Sequence, residues 1–497
     1  MHFLRVSLTL LATPLSAQGP GPLAPAAKSI TGADVMRRVS ITADDSMMGR
    51  DTPSRGLELT AAYVASEFRR AGLRAGGDSG SYLQRFGINR WIVDSSRSVV
   101  EFDAHGTTGV ARVGVDARFI DGPIPNQPIV GPAVLIAGTG TPGDIKGRIV
   151  LLVPDLTQPV SAALSRQVQD IAAAGPKAVL LLSNREPSQF ADRVRISGLP
   201  RVTCESSSGM PAPVLEVHER GLSRVLAASG IDLQHLRQQP GGEKRSIDGL
   251  TITVSLARKV VARARVPNVI GILEGADPAL RNEYLVYSAH IDHIGITPGQ
   301  ADSINNGADD NASGVAGLLG LLEAFTRPGI HPRRSLIFFA PSGEEPGLLG
   351  SEHFTEHPPV PLQSIVADIN MDLIGRNWRD SVIAVGLEQS DLGETLRRVV
   401  QSHPELRMTP IADRWPEERI FYRSDHYNFA RRGVPILFFT SGTHADYHRP
   451  TDDPGRIDGE KESRLLQLLF YLGAAIADQG PRPRWNPESY RQLVDHN

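Results

Sequence analysis

The chain of 497 residues has a single cysteine, Cys204, so no intrachain disulfide can form. The fold must therefore draw its stability from a hydrophobic core and from bound metals. Thiol catalysis has little support, because Cys204 lies in a Ser-rich polar stretch where we expect an exposed or half-buried thiol. Excess charge is also missing: the formal net charge is -3, and nothing basic suggests a nucleic-acid partner.

Three common catalytic motifs are absent from the sequence: a His-Glu-x-x-His helix, a Gly-x-Ser-x-Gly elbow and a P-loop. The sequence does have an apolar content of 40%, enough for a well-buried core, and a length that suits about three domain-sized units. The 48 glycines and 37 prolines exceed their usual combined share of roughly 12%. This composition fits a loop-rich enzyme.

The N-terminus has the features of a secretory signal peptide at residues 1–17. Arg5 precedes an apolar stretch, and the small residues Ser16 and Ala17 stand before the expected cut. A membrane anchor is the alternative, but it would need ~20 continuous apolar residues, which are missing here and elsewhere in the chain. We therefore expect a secreted or periplasmic protein without an integral membrane span.

Strand and helix patterns alternate along most of the chain. Strands are predicted at residues 284–289, 335–340, 364–371 and 435–440, and helices near 312–326, 389–401 and 461–477. This alternation predicts an α/β fold with a mostly parallel central sheet flanked by helices, whose functional residues gather beyond the carboxyl ends of the strands. We expect an N-terminal part at residues 30–121, a β-rich α/β insertion at 122–256 and the main domain at 265–480.

His290 and Asp292 follow the apolar run at residues 284–289, which predicts a buried strand with polar groups at its exit. A neutral imidazole can bind a metal through one nitrogen while a carboxylate holds the other, so Asp292 is the expected orienting residue. His293 is the weaker ligand candidate. For this triplet alone, a polar strand end without a metal is the more common outcome.

Asp310 lies in Gly307-Ala-Asp-Asp-Asn-Ala-Ser-Gly314, directly before apolar residues at helical spacing. Acidic residues are common caps at helix starts, and about half of such segments would be no more than caps. Two adjacent carboxylates between glycines exceed what capping requires. A carboxylate with two free oxygens can bridge two cations, and we assign that role to Asp310.

Glu344 and Glu345 follow the predicted strand at residues 335–340. Adjacent acids on a loop cannot point the same way, so one can bind metal while its neighbour faces the substrate. Hydrolysis by a metal-bound water needs both a ligand and an unligated base, and we give these roles to Glu345 and Glu344 respectively. A solvated acidic turn is the alternative for an isolated Glu-Glu pair.

Asp372 interrupts an otherwise apolar strand pattern, where a carboxylate is costly unless it is paired or bound to metal. The last candidate is His448, with which His444 competes on chemistry alone. With these two, the ligand candidates run along the chain in an order that is typical of a two-zinc hydrolase: His290, Asp310, Glu345, Asp372 and His448.

The combination of motifs resembles metallopeptidase family twenty-eight, the co-catalytic zinc aminopeptidases. The matching blocks are His290-Ile-Asp-His293, Gly307-Ala-Asp-Asp-Asn-Ala-Ser-Gly314, Gly343-Glu-Glu-Pro-Gly-Leu-Leu-Gly-Ser351, Asn370-Met-Asp-Leu-Ile-Gly375, Ser424-Asp-His-Tyr-Asn-Phe429 and Asp446-Tyr-His448. The resemblance implies two zinc ions per chain, one completed by Glu345 and His448 and the other by His290 and Asp372. It also implies hydrolysis of N-terminal peptide bonds.

The same resemblance implies roles for neighbouring residues. Tyr447 would donate a hydrogen bond to the oxyanion, and the peptide bond from Asp310 to Asn311 would be cis. The phrases Asp144-Ile-Lys-Gly-Arg-Ile-Val150 and Ala174-Gly-Pro-Lys-Ala-Val179 resemble a protease-associated (PA) domain, which family members often carry as an insertion.

Other interpretations stay open. A glutaminyl cyclase relative would use one zinc, a carboxypeptidase-type relative would carry a large helical domain after the catalytic one, and a pseudo-peptidase would be a binding protein. The Ser424-Asp425-His426 block has no assigned catalytic part beyond a loop that shapes the substrate pocket. The preferred N-terminal residue, the native metal and the oligomeric state also stay open, since manganese or cobalt can occupy similar sites.

Overall fold

The structure is a computed structural model, and it describes residues 22–138, 143–157, 160–204, 210–238, 243–299, 301–415, 418–478 and 481–492. The predicted signal peptide at residues 1–17 lies outside the described residues. Among the residues described, no helix has the length and apolar character that crossing a membrane would require.

Helices occur throughout the described chain. In chain order they are α1 (Leu23–Lys28), α2 (Gly32–Thr42), α3 (Arg55–Arg70), α4 (Ala162–Ala173), α5 (Pro187–Ser197), α6 (Ser223–Ala228), α7 (Leu233–Gln238), α8 (Gly314–Phe325), α9 (Leu349–Glu356), α10 (Leu392–Ser402), α11 (His426–Ala430), α12 (Gly459–Asp478) and α13 (Pro487–Tyr490). The helices expected near 312–326, 389–401 and 461–477 correspond to α8, α10 and α12.

The strands form two sheets. In chain order they are β1 (Arg74–Ala75), β2 (Leu83–Val93), β3 (Val99–Ala104), β4 (Thr107–Arg112), β5 (Ala117–Asp121), β6 (Ile129–Ala137), β7 (Ile149–Val153), β8 (Ala178–Ser183), β9 (Arg201–Cys204), β10 (Val214–His218), β11 (Glu243–Ser255), β12 (Arg258–Leu273), β13 (Tyr284–Ser288), β14 (Ser335–Ala340), β15 (Ile365–Met371), β16 (Ser381–Val385), β17 (Thr409–Ile411) and β18 (Ile436–Thr440).

The first sheet has the order β17-β16-β18-β15-β13-β14-β12-β2-β9, and β1 also pairs with β12. Its middle strands β18, β15, β13 and β14 are parallel neighbours, and they are the near-continuous apolar runs that buried parallel strands require. The pairs β14–β12, β12–β2, β2–β9 and β18–β16 are antiparallel. The α/β class is confirmed, but the sheet is mixed rather than mostly parallel.

The second sheet has the order β4-β3-β11-β6-β7-β8-β10-β5 and is built from residues 99–255. It encloses its own hydrophobic core, which includes Phe102, Leu151 and Leu180. The insertion expected at residues 122–256 starts too late for this sheet, because β3, β4 and β5 precede residue 122. Strand β9 lies within residues 99–255 but belongs to the first sheet, where it pairs with β2 at the edge.

Helix α8 lies in the core beside the first sheet. All its residues are buried except Glu323, as expected for a helix enclosed by other elements. Tyr287 on β13 packs between Phe325 of α8 and Phe338 of β14, and its hydroxyl donates to the carbonyl of Leu469 in α12. This packing holds the C-terminal end of α8 against the first sheet.

Cys204 differs from the expectation of an exposed or half-buried thiol. It ends β9 and is only 8% exposed, because the pairing of β9 with β2 draws it into the core of the first sheet. Burial raises the pKa of the thiol to about 12. A reactive thiolate requires the opposite shift.

Candidate functional site

The loops after β13, β14, β15 and β18 meet at one edge of the first sheet, because these strands are parallel neighbours. His290 follows β13, Glu344 and Glu345 follow β14, Asp372 follows β15 directly, and His448 lies in the segment after β18. The gathering of polar residues beyond the carboxyl ends of strands is the expected arrangement in α/β sheets. The structure brings these expected residues together.

Four of the residues form what we call the outer group: His293, Asp310, Glu345 and His448. Their candidate ligand atoms lie within 4.8 Å of one another. His448 Nε2 is 3.1 Å from Asp310 Oδ2 and 3.2 Å from Glu345 Oε2. The side chain of His448 is 35% exposed, so this group is open to solvent.

The inner group consists of His290, Glu344 and Asp372, whose candidate ligand atoms also lie within 4.8 Å of one another. His290 Nε2 is 3.3 Å from Asp372 Oδ1 and 3.6 Å from Asp310 Oδ1. Asp310 therefore directs one carboxylate oxygen to each group. Its position between them is the one expected of a bridging carboxylate, and the peptide bond after it is cis, as predicted.

Two further histidines, His293 and His444, were weaker or competing ligand candidates in the sequence, and the structure places them differently. His293, the weaker candidate, belongs to the outer group, where its Nδ1 is 2.7 Å from Glu345 Oε1. His444 lies outside both groups, and its Nε2 is 3.3 Å from Asp309 Oδ2. The three-residue spacing from His290 to His293 after a strand end was the available signal for the additional histidine.

Asp292 does not contact His290 in the expected way. Its carboxylate oxygen is 3.8 Å from His290 Nδ1, which is too long for a hydrogen bond. The backbone carbonyl of Asp292 instead lies 3.2 Å from that nitrogen. The carboxylate accepts hydrogen bonds from the Glu344 amide and from the Thr52 hydroxyl, so it orients the loop that carries the expected base.

Arg50 is a buried residue for which the motif analysis predicted no role. Its guanidinium donates to the carbonyls of Asn306 and Gly307 at 2.6 and 2.9 Å, and its Nε donates to the carbonyl of Ile291 at 3.0 Å. Arg50 thus joins the loop after β13 to the loop before Asp310. Burial lowers its pKa to about 10, although nearby carboxylates favour the charged form. No ligand-type spacing marks such a residue in the sequence.

The electrostatics of the two glutamates differ. Burial and neighbouring carboxylates raise the pKa of Glu344 well above its ordinary value, although His290 acts in the opposite direction. Burial also disfavours the charged form of Glu345, but hydrogen bonds from His293 and His448 outweigh it and lower the pKa of that carboxyl. Glu345 is therefore suited to permanent charge, and Glu344 to holding a proton.

The donor set fits a zinc pair. His290 Nε2 and Asp372 Oδ1 are buried and approach each other, yet neither has a hydrogen-bond partner. Buried polar atoms of native proteins are nearly always satisfied. Imidazole nitrogens and carboxylate oxygens are preferred zinc ligands, and each group presents at least one of both kinds.

A cavity of about 270 Å³ opens beside the two groups. Asp310, Glu344, Asp372 and Tyr447 form its polar end, and its remaining walls include Leu373, Trp415, Ile420 and Phe438. Tyr447 stacks on His448 with ring centroids 3.8 Å apart. The arrangement places acidic groups and Tyr447 at one end of a chamber whose other walls are partly apolar and partly polar.

Comparison with known proteins places this site in a family. Residues 268–472 match the model of peptidase family M28. The chain is 25% identical over 296 residues to leupeptin-inactivating enzyme 1 of Streptomyces exfoliatus, covering 58% of this chain and 60% of that protein. It is 26% identical over 348 residues to aminopeptidase YwaD of Bacillus subtilis, covering 67% and 62% respectively. The chain therefore spans less than two thirds of either relative's length.

A solved structure gives the same fold. The aminopeptidase from Aneurinibacillus sp. strain AM-1 superposes with a TM-score of 0.55 at 18% identity, covering 93% of this chain and 97% of that chain. The family match covers the segment that carries both the inner and the outer group. Residues 268–472 of this chain are thus similar to peptidase family M28, and they carry both groups.

Proposed function

We propose that the protein is an exported aminopeptidase that uses two zinc ions and a glutamate general base. The observation that carries this proposal is the position of Asp310, whose two oxygens face His290 on one side and His448 on the other. Aminopeptidase YwaD, a relative by sequence, supports the reaction class. Glu344 belongs to the inner group but has no role as a predicted ligand.

The metal residues follow from the two groups. Asp310, Glu345 and His448 would hold one zinc, and Asp310, His290 and Asp372 the other. His293 would orient Glu345 through their 2.7 Å contact rather than bind metal itself. When bound, the zinc pair supplies Lewis acidity that polarises the scissile carbonyl and lowers the pKa of the attacking water.

Glu344 takes the proton of the attacking water and hands it to the leaving amine. Burial and nearby carboxylates raise its pKa, which makes the ionised carboxylate a stronger proton acceptor. The hydrogen bond from its own amide to Asp292 Oδ1, at 3.1 Å, limits the freedom of the loop. The base is therefore held beside the reacting carbonyl.

Tyr447 and the cavity bind the substrate. The Tyr447 hydroxyl donates a hydrogen bond to the developing oxyanion, and stacking on His448 orients the ring. The cavity receives the side chain of the N-terminal residue, because its volume of about 270 Å³ suits one residue rather than a longer segment. The rest of the peptide extends towards solvent beside the partly exposed His448.

Residues 1–17 and the second sheet would act outside the catalytic chemistry. Residues 1–17 would direct export and be removed. The sheet of residues 99–255 is the candidate PA-like domain, and it would shape the rim of the substrate cavity. Support comes from Arg419, in the loop beside the cavity, which donates to Gln169 on α4 at 2.5 Å.

The experiment combines elemental analysis of the purified protein with hydrolysis of an aminoacyl p-nitroanilide. We expect two zinc ions per chain, activity on the free-amine substrate and no activity on its N-acetylated counterpart. One zinc per chain would instead favour a cyclase-like relative. Full zinc content with no hydrolysis of any aminoacyl substrate would overturn the proposed activity.

A further inference from the structure

The Ser424-Asp425-His426 block has no part in the chemistry described above. It stands at the start of α11, and its three residues are each at most 1% exposed. Helix α11 packs on β15 and β18, the strands that lead to Asp372 and to the segment of His448. Buried polar side chains in this position require hydrogen-bond partners. The contacts of this block connect the cavity wall with an adjacent loop.

His426 makes two contacts that reach the cavity wall. Its Nε2 is 2.8 Å from the carbonyl oxygen of Phe421. Its ring stacks on Phe438, with centroids 4.4 Å apart and planes at 19°, and Phe438 lines the cavity. The imidazole of His426 thus contacts both a residue of the cavity wall and the backbone of an adjacent loop.

The protonation of His426 follows from its partners. The Phe421 carbonyl can only accept, so Nε2 carries the proton. Burial lowers the pKa of the ring to about 3, which leaves Nδ1 as an acceptor facing Asn370 Nδ2 at 3.4 Å. Asn370 is fixed in turn by Ser288 of β13. With the proton on Nε2, His426 therefore connects the Phe421 carbonyl through Asn370 to β13, a middle strand of the first sheet.

The loop held in this way is residues 418–423, which we call the wall loop. Glu418, Ile420 and Arg423 of the wall loop line the cavity. Within it, Tyr422 and Arg423 donate backbone hydrogen bonds to residues three positions earlier. Ile420 and Phe421 of the wall loop also pack against neighbouring apolar side chains. The bond from His426 fixes the backbone carbonyl directly after Ile420, so it is placed where it controls the position of that side chain.

We propose that His426 is a positioning residue that holds the wall loop against the cavity and thereby sets how tightly an apolar N-terminal side chain is bound. The proposal rests on the proposed function, because it takes the cavity as the site for that side chain. It predicts a selective effect: substrates whose side chain reaches the wall loop depend on His426, and substrates with a short side chain do not.

Two substitutions separate the contacts of His426. The amide nitrogen of Gln can replace Nε2, so His426→Gln keeps a donor for the Phe421 carbonyl. The shorter His426→Asn can replace Nδ1 but cannot reach that carbonyl. We expect His426→Asn to raise KM for a leucyl substrate about tenfold, the value of one lost hydrogen bond. KM for a glycyl substrate and kcat for both should stay near wild type, and His426→Gln should recover most of the loss.

Ser424→Ala is the control for disturbing the block itself, since it removes the contact between Ser424 Oγ and Asn370 at 2.9 Å and leaves His426 in place. Its KM values should match wild type. Zinc content and melting temperature are measured for every variant, and hydrogen exchange at the amides of residues 422 and 423 reports the wall loop directly. We expect faster exchange there in His426→Asn than in His426→Gln or Ser424→Ala.

The outcomes separate the two proposals. A zinc-loaded wild type that hydrolyses no aminoacyl substrate would overturn the proposed function, while hydrogen exchange would still show whether His426 orders the wall loop. Unchanged exchange and unchanged leucyl KM in a folded His426→Asn protein would overturn the positioning role. So would equal losses for leucyl and glycyl substrates. If His426→Asn does not fold, a His426→Gln protein with wild-type exchange and KM supports the role, and one with fast exchange contradicts it.

Discussion

The inner and outer groups share Asp310 but differ in exposure and charge. In the inner group His290 is 1% exposed, whereas His448 of the outer group is 35% exposed. The outer group has two histidines for its two carboxylates. The inner group has one histidine facing Asp372, Asp310 and Glu344. The inner group is therefore the more buried and the poorer in positive charge, and it depends more strongly on a cation.

Because the two groups differ in burial and charge, we expect their cations to have different roles. Uncompensated charge is costly in a buried site, so the inner cation would stabilise the fold as well as the reaction. The outer group lies where solvent and substrate can reach it, so its cation would exchange more readily. The following variants test this division, beginning with the largest effect on turnover.

Glu344→Gln should cause the largest loss. The carboxamide keeps the size of the side chain but cannot accept the proton of the attacking water, so we expect kcat to fall by about 10²–10⁴. Zinc content should stay at the wild-type value, because Glu344 is not a proposed ligand. The control is Glu352→Gln, an acid on α9 that pairs with Arg431. Normal turnover in zinc-loaded Glu344→Gln would refute the base assignment.

His290→Ala and His448→Ala compare the groups directly. Each variant should lose one zinc. Each should also lose most of its activity, because Asp310 then binds a single cation and no longer bridges two. The inner variant should also have the lower melting temperature, since it leaves buried carboxylates without a counter-charge. Elemental analysis and thermal melts measure both effects. Equal melting temperatures would contradict the proposed difference between the groups.

The site residues were more predictable than their exact contacts. His290, Glu345 and Asp372 follow apolar strands, and parallel strands end at the same edge of a sheet, so their convergence could be predicted from local pattern. Which oxygen of Asp292 meets His290 depends on the path of the loop after β13. That path is fixed by Arg50, more than 200 positions away in the sequence.

The sheet was predictable only in its middle. The pairing of β2 with β12 joins residue 83 to residue 269. All strands of the second sheet lie between these two positions in the sequence, and no local periodicity indicates so distant a partner. The start of the second sheet was missed for a related reason: β3 and β5 resemble other half-buried strands, and only their partners β11 and β10 assign them to it.

His293→Ala should have a smaller effect and sharpens the description of the outer group. If His293 orients Glu345 without binding metal, two zinc ions should remain at saturating zinc. The affinity of the more weakly held ion should fall about 10–100-fold, the usual cost of losing an orienting partner. Zinc titration of the metal-free protein measures it. Loss of one zinc at saturation would instead make His293 a ligand.

The zinc affinity of the outer group should also depend on pH. Burial disfavours the imidazolium of His448, but its hydrogen bonds with Asp310 and Glu345 outweigh burial and raise its pKa to about 10 in the zinc-free protein. Zinc must displace this proton, so affinity at the outer group should rise roughly tenfold per pH unit near neutrality. Calorimetry in two buffers of different ionisation enthalpy should show proton release, and none would contradict the ligand role of His448.

The same pKa predicts opposite trends for the stability of the two forms. A group whose pKa is raised on folding adds stability that is complete below its unfolded value, here 6.5, and that is lost as pH rises through about 10. The melting temperature of the zinc-free protein should therefore fall slightly over this range, since His448 is partly exposed and screened by solvent. The zinc-loaded protein should gain stability over the same range, because zinc competes with fewer protons. Parallel trends would show that His448 has the same partners with and without the metal.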